Sequence, residues 1–194
     1  MYQKHIFNKE ISMRCTSCKS GELTPSFIDQ QFRAHSCTNC GGNWILIEDY
    51  VSWKERNPQH KFADIEVSEL PDSSKAMLCP ISGTIMRKLH ISKDNSHRLD
   101  YSAAAGGVWL DKGEWELLKH EGLAGSLNKI LTEQWQGKIR EQKSEETFSH
   151  LYRTKFGEPD YQKIKELRAW LNANPHKADL RAYLLADDPY SAKK

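Results

Sequence analysis

Four cysteines carry the spacing in this 194-residue chain that most directly dictates a chemistry. Cys15 and Cys18 form one Cys-x-x-Cys pair, Cys37 and Cys40 form another, and eighteen residues separate the two. Two thiolates three residues apart fit a tight turn whose backbone amides point at sulfur, and two such turns close a tetrahedral sulfur site of the kind that holds zinc. Gly41 and Gly42 follow Cys40 directly, where such a turn calls for a left-handed or closely approached backbone. The expectation is one zinc ion (Zn2+) held by Cys15, Cys18, Cys37 and Cys40 in a small ribbon. Iron is the other metal that a tetrahedral sulfur site accepts. Two disulfides are the alternative without metal, but the opening MYQKHIFNKE has no apolar signal core and so gives no reason to expect an oxidising compartment. Four thiolates also complete the coordination of the metal, so the site builds structure and leaves no position for a catalytic water. His35, two residues before Cys37, is a spare donor that four thiolates do not need.

The rest of the chain offers little further chemistry. It has no Gly-rich phosphate loop, no His-Glu-x-x-His and no serine elbow, and the histidines at 5, 60, 90, 97, 120, 150 and 176 show no ligand spacing. The chain therefore reads as a binding protein and not as an enzyme. Its formal net charge is +2, with fifteen basic and fifteen acidic residues up to position 120 and thirteen and eleven beyond it. A dedicated nucleic-acid binder carries a basic stripe, so any such contact here must rest on a local cluster. No apolar run is long enough to span a membrane, and a cytoplasmic location is expected.

Around the cysteines, Leu23 to Phe32 reads as a hairpin turning at Thr24-Pro25-Ser26, with Phe27 and Phe32 as its small core. Ile45 to Arg56 suits a short helix ended by Pro58. Residues 57–76 mix prolines, serines and charges and read as a linker with one strand-like stretch at Ile65 to Val67.

The first unit then returns in altered form. Met77-Leu-Cys-Pro-Ile-Ser82 aligns with Met13-Arg-Cys-Thr-Ser-Cys18 at an offset of 64, and Ser102-Ala-Ala-Ala-Gly-Gly-Val-Trp109 aligns with Cys37-Thr-Asn-Cys-Gly-Gly-Asn-Trp44 at an offset of 65. At the four ligand positions the second copy has Cys79, Ser82, Ser102 and Ala105, so a four-cysteine site is lost there. Packing must replace the metal, with Ala103, Ala104 and Ala105 expected in its space and Leu89, Ile91, Leu99, Tyr101 and Trp109 around them. Cys79 reads as a buried leftover ligand. Asp111 and Glu114 have the spacing of a capping box, which starts a helix that turns Trp115, Leu117 and Leu118 onto the ribbon.

These residues resemble a known family, the bacterial transcription-factor zinc fingers, similar to the zinc ribbon of TFIIB. The family pattern is a cysteine knuckle, a leucine, a hairpin, a second knuckle, then Gly-Gly-Val-Trp-Leu-Asp-x-Gly-Glu. The first copy matches at Cys15, Cys18, Leu23, Cys37, Cys40, Gly41, Gly42 and Trp44 but continues Ile45-Leu46-Ile47-Glu48. The second matches at Cys79, Pro80, Gly106 to Asp111, Gly113 and Glu114 but lacks the ligands. The resemblance covers about 90 residues and implies a link to transcription.

From Ser126 the chain turns helical, with Leu127, Ile130, Leu131, Trp135, Ile139, Phe148, Leu151, Tyr152 and Phe156 at three-and-four spacing. Gln142 to Thr147 interrupts that stripe, leaving one helix of about thirty residues or two. A further helix begins at Glu158-Pro159-Asp160, NANPH forms a turn, and a last helix runs from about Lys177 to Ala186. The resemblance does not extend to this region. The expected fold class is α+β: two tandem zinc-ribbon-like units, the second without metal, followed by α-helices. The expected domains are 1–56, the metal-binding ribbon; 57–76, a linker; 77–124, the degenerate repeat; and 125–194, the helical region. The function expected is non-catalytic recognition of nucleic-acid machinery, such as RNA polymerase, the ribosome or nucleic acid itself. The alternative is a protein adaptor or dimerising scaffold that works through the C-terminal helices.

Overall fold

A computed structural model describes residues 13–67, 70 and 75–190. It shows a mixed α/β chain, strand-rich at the N-terminal side and helical toward the C-terminus, in two compact units that divide at Arg140 and Glu141. The expected strand at Ile65 to Val67 does not form, and the apolar residues Tyr2, Ile6, Phe7 and Ile11 lie outside the described residues.

The first unit is built on a seven-stranded antiparallel sheet. In chain order its strands are β1 (Met13–Arg14), β2 (Glu22–Ile28), β3 (Phe32–Cys37), β4 (Asn43–Leu46), β5 (Arg87–His90), β6 (Arg98–Ser102) and β7 (Gly107–Leu110). In space they run β1-β2-β3-β4-β7-β6-β5. The two halves therefore meet at β4 and β7, with Trp44 opposite Trp109 and Leu46 opposite Gly107. An isolated bridge between Leu78 and Ile85 stands beside β5 as β1 stands beside β2.

The β2–β3 hairpin turns at Asp29 and Gln30, both at positive φ, and not at Thr24-Pro25-Ser26, which lie inside β2. Two successive left-handed residues make the turn whose twist matches the strands. Pro25 fits within a strand because, among the described residues, β1 pairs only with the first two residues of β2 and no strand asks Pro25 for a donor. Directly opposed residues share a sheet face. Ile28 and Phe32 are thus buried together, whereas Phe27 points to the other face beside Arg33 and is 62% exposed. Phe27 is therefore no part of the core.

The helices cover one face of the sheet. They are α1 (Ile47–Arg56), α2 (Glu114–His120), a 3-10 turn at Ala124–Ser126, and α3 (Leu127–Ile130). Tyr50 and Trp53 of α1 pack with Trp115 and Leu118 of α2, Leu127 and Ile130 of α3, and sheet residues from both halves. Phe32 sits 5.3 Å edge-to-face from both Tyr50 and Trp115. The segment expected as a linker also joins this core, because Phe62 wedges between Trp53 and Trp115. Residues 125–140, expected with the C-terminal helices, likewise belong here: Leu127 and Ile130 are fully buried, and Trp135 donates its indole N–H to the Ile91 carbonyl at 3.0 Å. Gln136 bonds both the N–H and the C=O of His90, which closes the free edge of β5.

Helix α4 (Glu133–Phe156) runs unbroken through Gln142 to Thr147. It is followed by α5 (Glu158–Ala173) and α6 (Lys177–Leu185). From Glu141 onward these helices form the second unit. Among the described residues no helix is long and apolar enough to cross a membrane.

Candidate metal centre

The other sheet face carries the cysteines. Each knuckle is closed by paired backbone bonds: the Cys15 amide donates to the Gly21 carbonyl and Lys19 to Cys15, and the Cys37 amide donates to Gly42 and Gly41 to Cys37. Gly41 adopts φ +74°, the left-handed conformation expected of it. The four Sγ atoms all lie within 4.8 Å of one another, with Cys15 and Cys40 3.5 Å apart and Cys18 and Cys37 3.7 Å apart. Sulfurs at about 2.3 Å from one tetrahedral zinc stand about 3.8 Å from each other, whereas a disulfide needs about 2.0 Å. All four cysteines are free, so the donor set fits one zinc ion and excludes two disulfides.

The surroundings suit thiolates. Backbone N–H groups of Cys18 and Gly21 donate to the sulfurs of Cys15 and Cys18 at 3.5 and 3.3 Å, and the Asn39 amide donates to Cys18 at 3.4 Å. Asn39 and then Ser20 bring the Cys18 thiol down to about 5. Burial pushes the Cys15 thiol up to about 12 and raises Cys40 as well. Buried thiols resist ionising on their own, and a divalent cation supplies the charge that reverses this preference. Gly21 is a part of the site that sequence reasoning missed: a Cβ there would lie 2.4 Å from the Cys37 sulfur. Its place three residues beyond Cys18, inside the knuckle, was the available signal. His35 is not among the clustered donors; it lies in register with Pro25 and Trp44.

Cys79 also sits in a tight turn closed by backbone bonds. The Cys79 amide donates to the Thr84 carbonyl and Gly83 to Cys79, while the Ser82 amide reaches the Cys79 sulfur at 3.4 Å. The Ala105 amide donates to the Ser102 hydroxyl at 3.3 Å. Cys79 is buried, which by itself raises its thiol, but the hydroxyls of Ser102 and Ser82 together with the backbone N–H groups of Ser82 and Ile81 leave it below its ordinary value. Of the expected alanine filling only Ala105 packs against the cluster around Cys79; Ala103 and Ala104 are exposed. Met77, Met86 and Trp109 pack around Cys79 instead, in one cluster with Cys15, Leu23, Cys37 and Trp44. Methionine's flexible thioether fills irregular space better than a methyl group does.

The expected capping box forms by one arm only. The Glu114 carboxylate accepts the Asp111 amide at 2.7 Å, but the Asp111 carboxylate turns to the Trp109 indole N–H at 2.8 Å. Gly113, left-handed at φ +93°, occupies the cap position of α2. Glu114 also meets His97 at 2.5 Å, and burial, only partly offset by His97, raises its carboxyl above the usual range. This pair ties His97 to the first residue of α2.

Residues 14–56 match the family model described as the transcription factor zinc-finger, a stretch that holds all four clustered cysteines and ends with α1. No curated protein and no solved structure matches the chain.

Proposed function

We propose that this protein is a non-catalytic recognition module in which zinc fixes a hairpin that contacts nucleic acid or the machinery assembled on it. The carrying observation is the exposed pair at the end of the β2–β3 hairpin. Phe27 is 62% exposed and stands opposite Arg33 on the sheet face away from the helices. An aromatic ring that can stack on a base, next to a cation that can meet a phosphate, is the minimal combination for single-stranded nucleic acid. The sequence alone sets Asp29 against Arg33, but Asp29 is spent elsewhere, accepting the Trp115 indole N–H at 2.7 Å and the Lys119 ammonium at 3.0 Å. Among the described residues Arg33 has no ion pair, so its charge is available.

In this reading zinc supplies structure alone, tying both ends of the hairpin to one point, since all four of its bonds go to cysteine. The rest is done by the chain: Cys15 and Cys37 hold β2 and β3 in register, and the Asp29–Gln30 turn presents Phe27 and Arg33 together. The second half is read as a degenerate copy of the same ribbon that has exchanged its metal for methionine packing. Three features support this: its matching knuckle bonds, its mirrored strand order, and its Gly-Gly-x-Trp segment.

The test is recovery of bound components from lysate by the zinc-loaded protein, with and without nuclease and across a salt series. Recovery of nucleic acid or of its machinery that falls with nuclease and salt is expected. Phe27→Ala and Arg33→Ala should each weaken it, with Arg33→Ala also reducing the salt slope by about one unit. Partners indifferent to both treatments and to both substitutions would overturn the reading.

A further inference from the structure

From Glu141 the chain builds a helix–turn–helix, the end of α4 leading into α5, in which several apolar side chains stay half-exposed. Its bend is fixed at Gly157, left-handed at φ +78°, with Pro159 in the first turn of α5. The closed end is tied three ways. Arg153 pairs with Glu158 at 3.5 Å and stacks over the Tyr161 ring at 5.2 Å, and the Tyr161 hydroxyl donates to Ser149 at 3.2 Å. Beyond these ties a groove of about 660 Å³ opens between the helices. A ladder of rings spaced 6.4 and 5.5 Å, Phe148, Tyr152 and Phe156, lines its α4 wall, and Ile164 faces it from α5. These four side chains are 42–54% exposed.

We infer that this groove is the interface for a second copy of the chain, two hairpins closing into a four-helix bundle. Area is the first argument. Half-exposed side chains of this size leave roughly 100 Å² each, so the four offer roughly 400 Å². Apolar atoms make up a little over half of such an interface, so with the polar rim of the groove the total approaches roughly 600 Å² per chain. A two-fold pair then buries roughly 1,200 Å², which reaches the size of a specific interface. A patch of this size lies at the upper end of what a monomer exposes, and such patches often mark interaction sites.

Charge selects the occupant. Glu145 lines the groove from α4, while Lys165 and Arg168 line it from α5. In a two-fold interface, residue i of one copy meets residue j of the other and the converse holds. Each carboxylate can then face the cations of the second copy, and both rims are satisfied together. A foreign helix carrying charge of one sign would satisfy one rim and oppose the other. Antiparallel helix pairs that dimerise face to face are a standard route to such a bundle. The inference does not rest on the nucleic-acid reading, because it uses no residue of the sheet or the metal centre.

Sedimentation velocity on the full, zinc-loaded chain tests it. A species of twice the 22.4 kDa chain mass is expected. Tyr152→Glu combined with Ile164→Glu should abolish that species while the zinc content stays unchanged. Because this pair of changes could loosen the helices themselves, two charge reversals serve as the sharper probe. Glu145→Arg and Arg168→Glu should each weaken dimerisation about tenfold or more, and an equimolar mixture of the two variants should restore it as a heterodimer. A wild-type chain that stays monomeric at its highest soluble concentration overturns the inference. So do reversals without effect, or a mixture that fails to recover the dimer.

Discussion

Trp44 and Trp109 occupy matched places, opposed across β4 and β7 and both fully buried, yet their indole N–H groups fare differently. Trp109 donates to Asp111, whereas Trp44 Nε1 finds no acceptor among the described residues. The cause is in the sequence: two positions beyond Trp109 stands Asp111, and two beyond Trp44 stands Leu46. Trp44→Phe and Trp109→Phe remove the same ring area, but only the second removes a hydrogen bond. Trp109→Phe should therefore cost about 1 kcal/mol more in urea unfolding than Trp44→Phe. Equal costs would mean that the bond to Asp111 contributes nothing net. At this scale the four cysteines were fully legible, because residue type and spacing alone define a ligand set. The partner of Asp111 was not read, although residues two apart on a strand share a face and that alternation was the available signal.

At the scale of the elements, the joint between the two halves depends on glycine. A Cβ at Gly42 would sit 2.3 Å from the Trp109 ring, and one at Gly107 would sit 2.2 Å from the Trp44 ring. Each tryptophan ring lies against a glycine of the opposite half, and both rings are fully buried. Gly106, by contrast, has φ +59° and nothing within 4 Å of its would-be Cβ, so alanine there meets only backbone strain. Gly107→Ala and Gly42→Ala should each cost about 2–3 kcal/mol. Gly106→Ala should cost about 1 kcal/mol, the strain of a left-handed alanine. Thermal unfolding of the three variants compares them directly, and a Gly106→Ala variant as unstable as the other two would remove the ring-contact explanation. The sequence repeats Gly-Gly before each tryptophan, which reads locally as two turns. Only the pairing of β4 with β7 reveals that the second glycine of each pair serves the other half. The hairpin bend was misplaced for a related reason. Thr24-Pro25-Ser26 looks like a turn by composition, while Asp29-Gln30, which makes it, lacks the glycine that usually marks two left-handed residues.

For the whole molecule, the question is how far the metal's influence extends. Periodicity and repeats show two units joined by a linker, the second of which must lean on the first or on the C-terminal helices, but a sequence does not display the surface along which units meet. The structure joins them on both faces of the sheet. The helical side packs Ile28, Phe32 and Tyr50 with Leu99, Val108 and Trp115. The cysteine side packs Cys15 and Cys37 with Met77, Cys79, Met86 and Trp109. Binding of a structural zinc is worth on the order of 10 kcal/mol, comparable with the whole stability of a domain this size. Stripping zinc from Cys15, Cys18, Cys37 and Cys40 should therefore release the sheet as one cooperative body. Hydrogen exchange after chelation should show β5, β6 and β7 losing protection together with β2, β3 and β4, although the former carry no metal ligand. Amides from Glu158 to Leu185, in the second compact unit, should exchange at the same rate with and without the ion. If β5 to β7 kept their protection while β2 to β4 lost theirs, the halves would be independent ribbons. The Trp44–Trp109 joint would then be a contact between finished folds rather than part of their shared core.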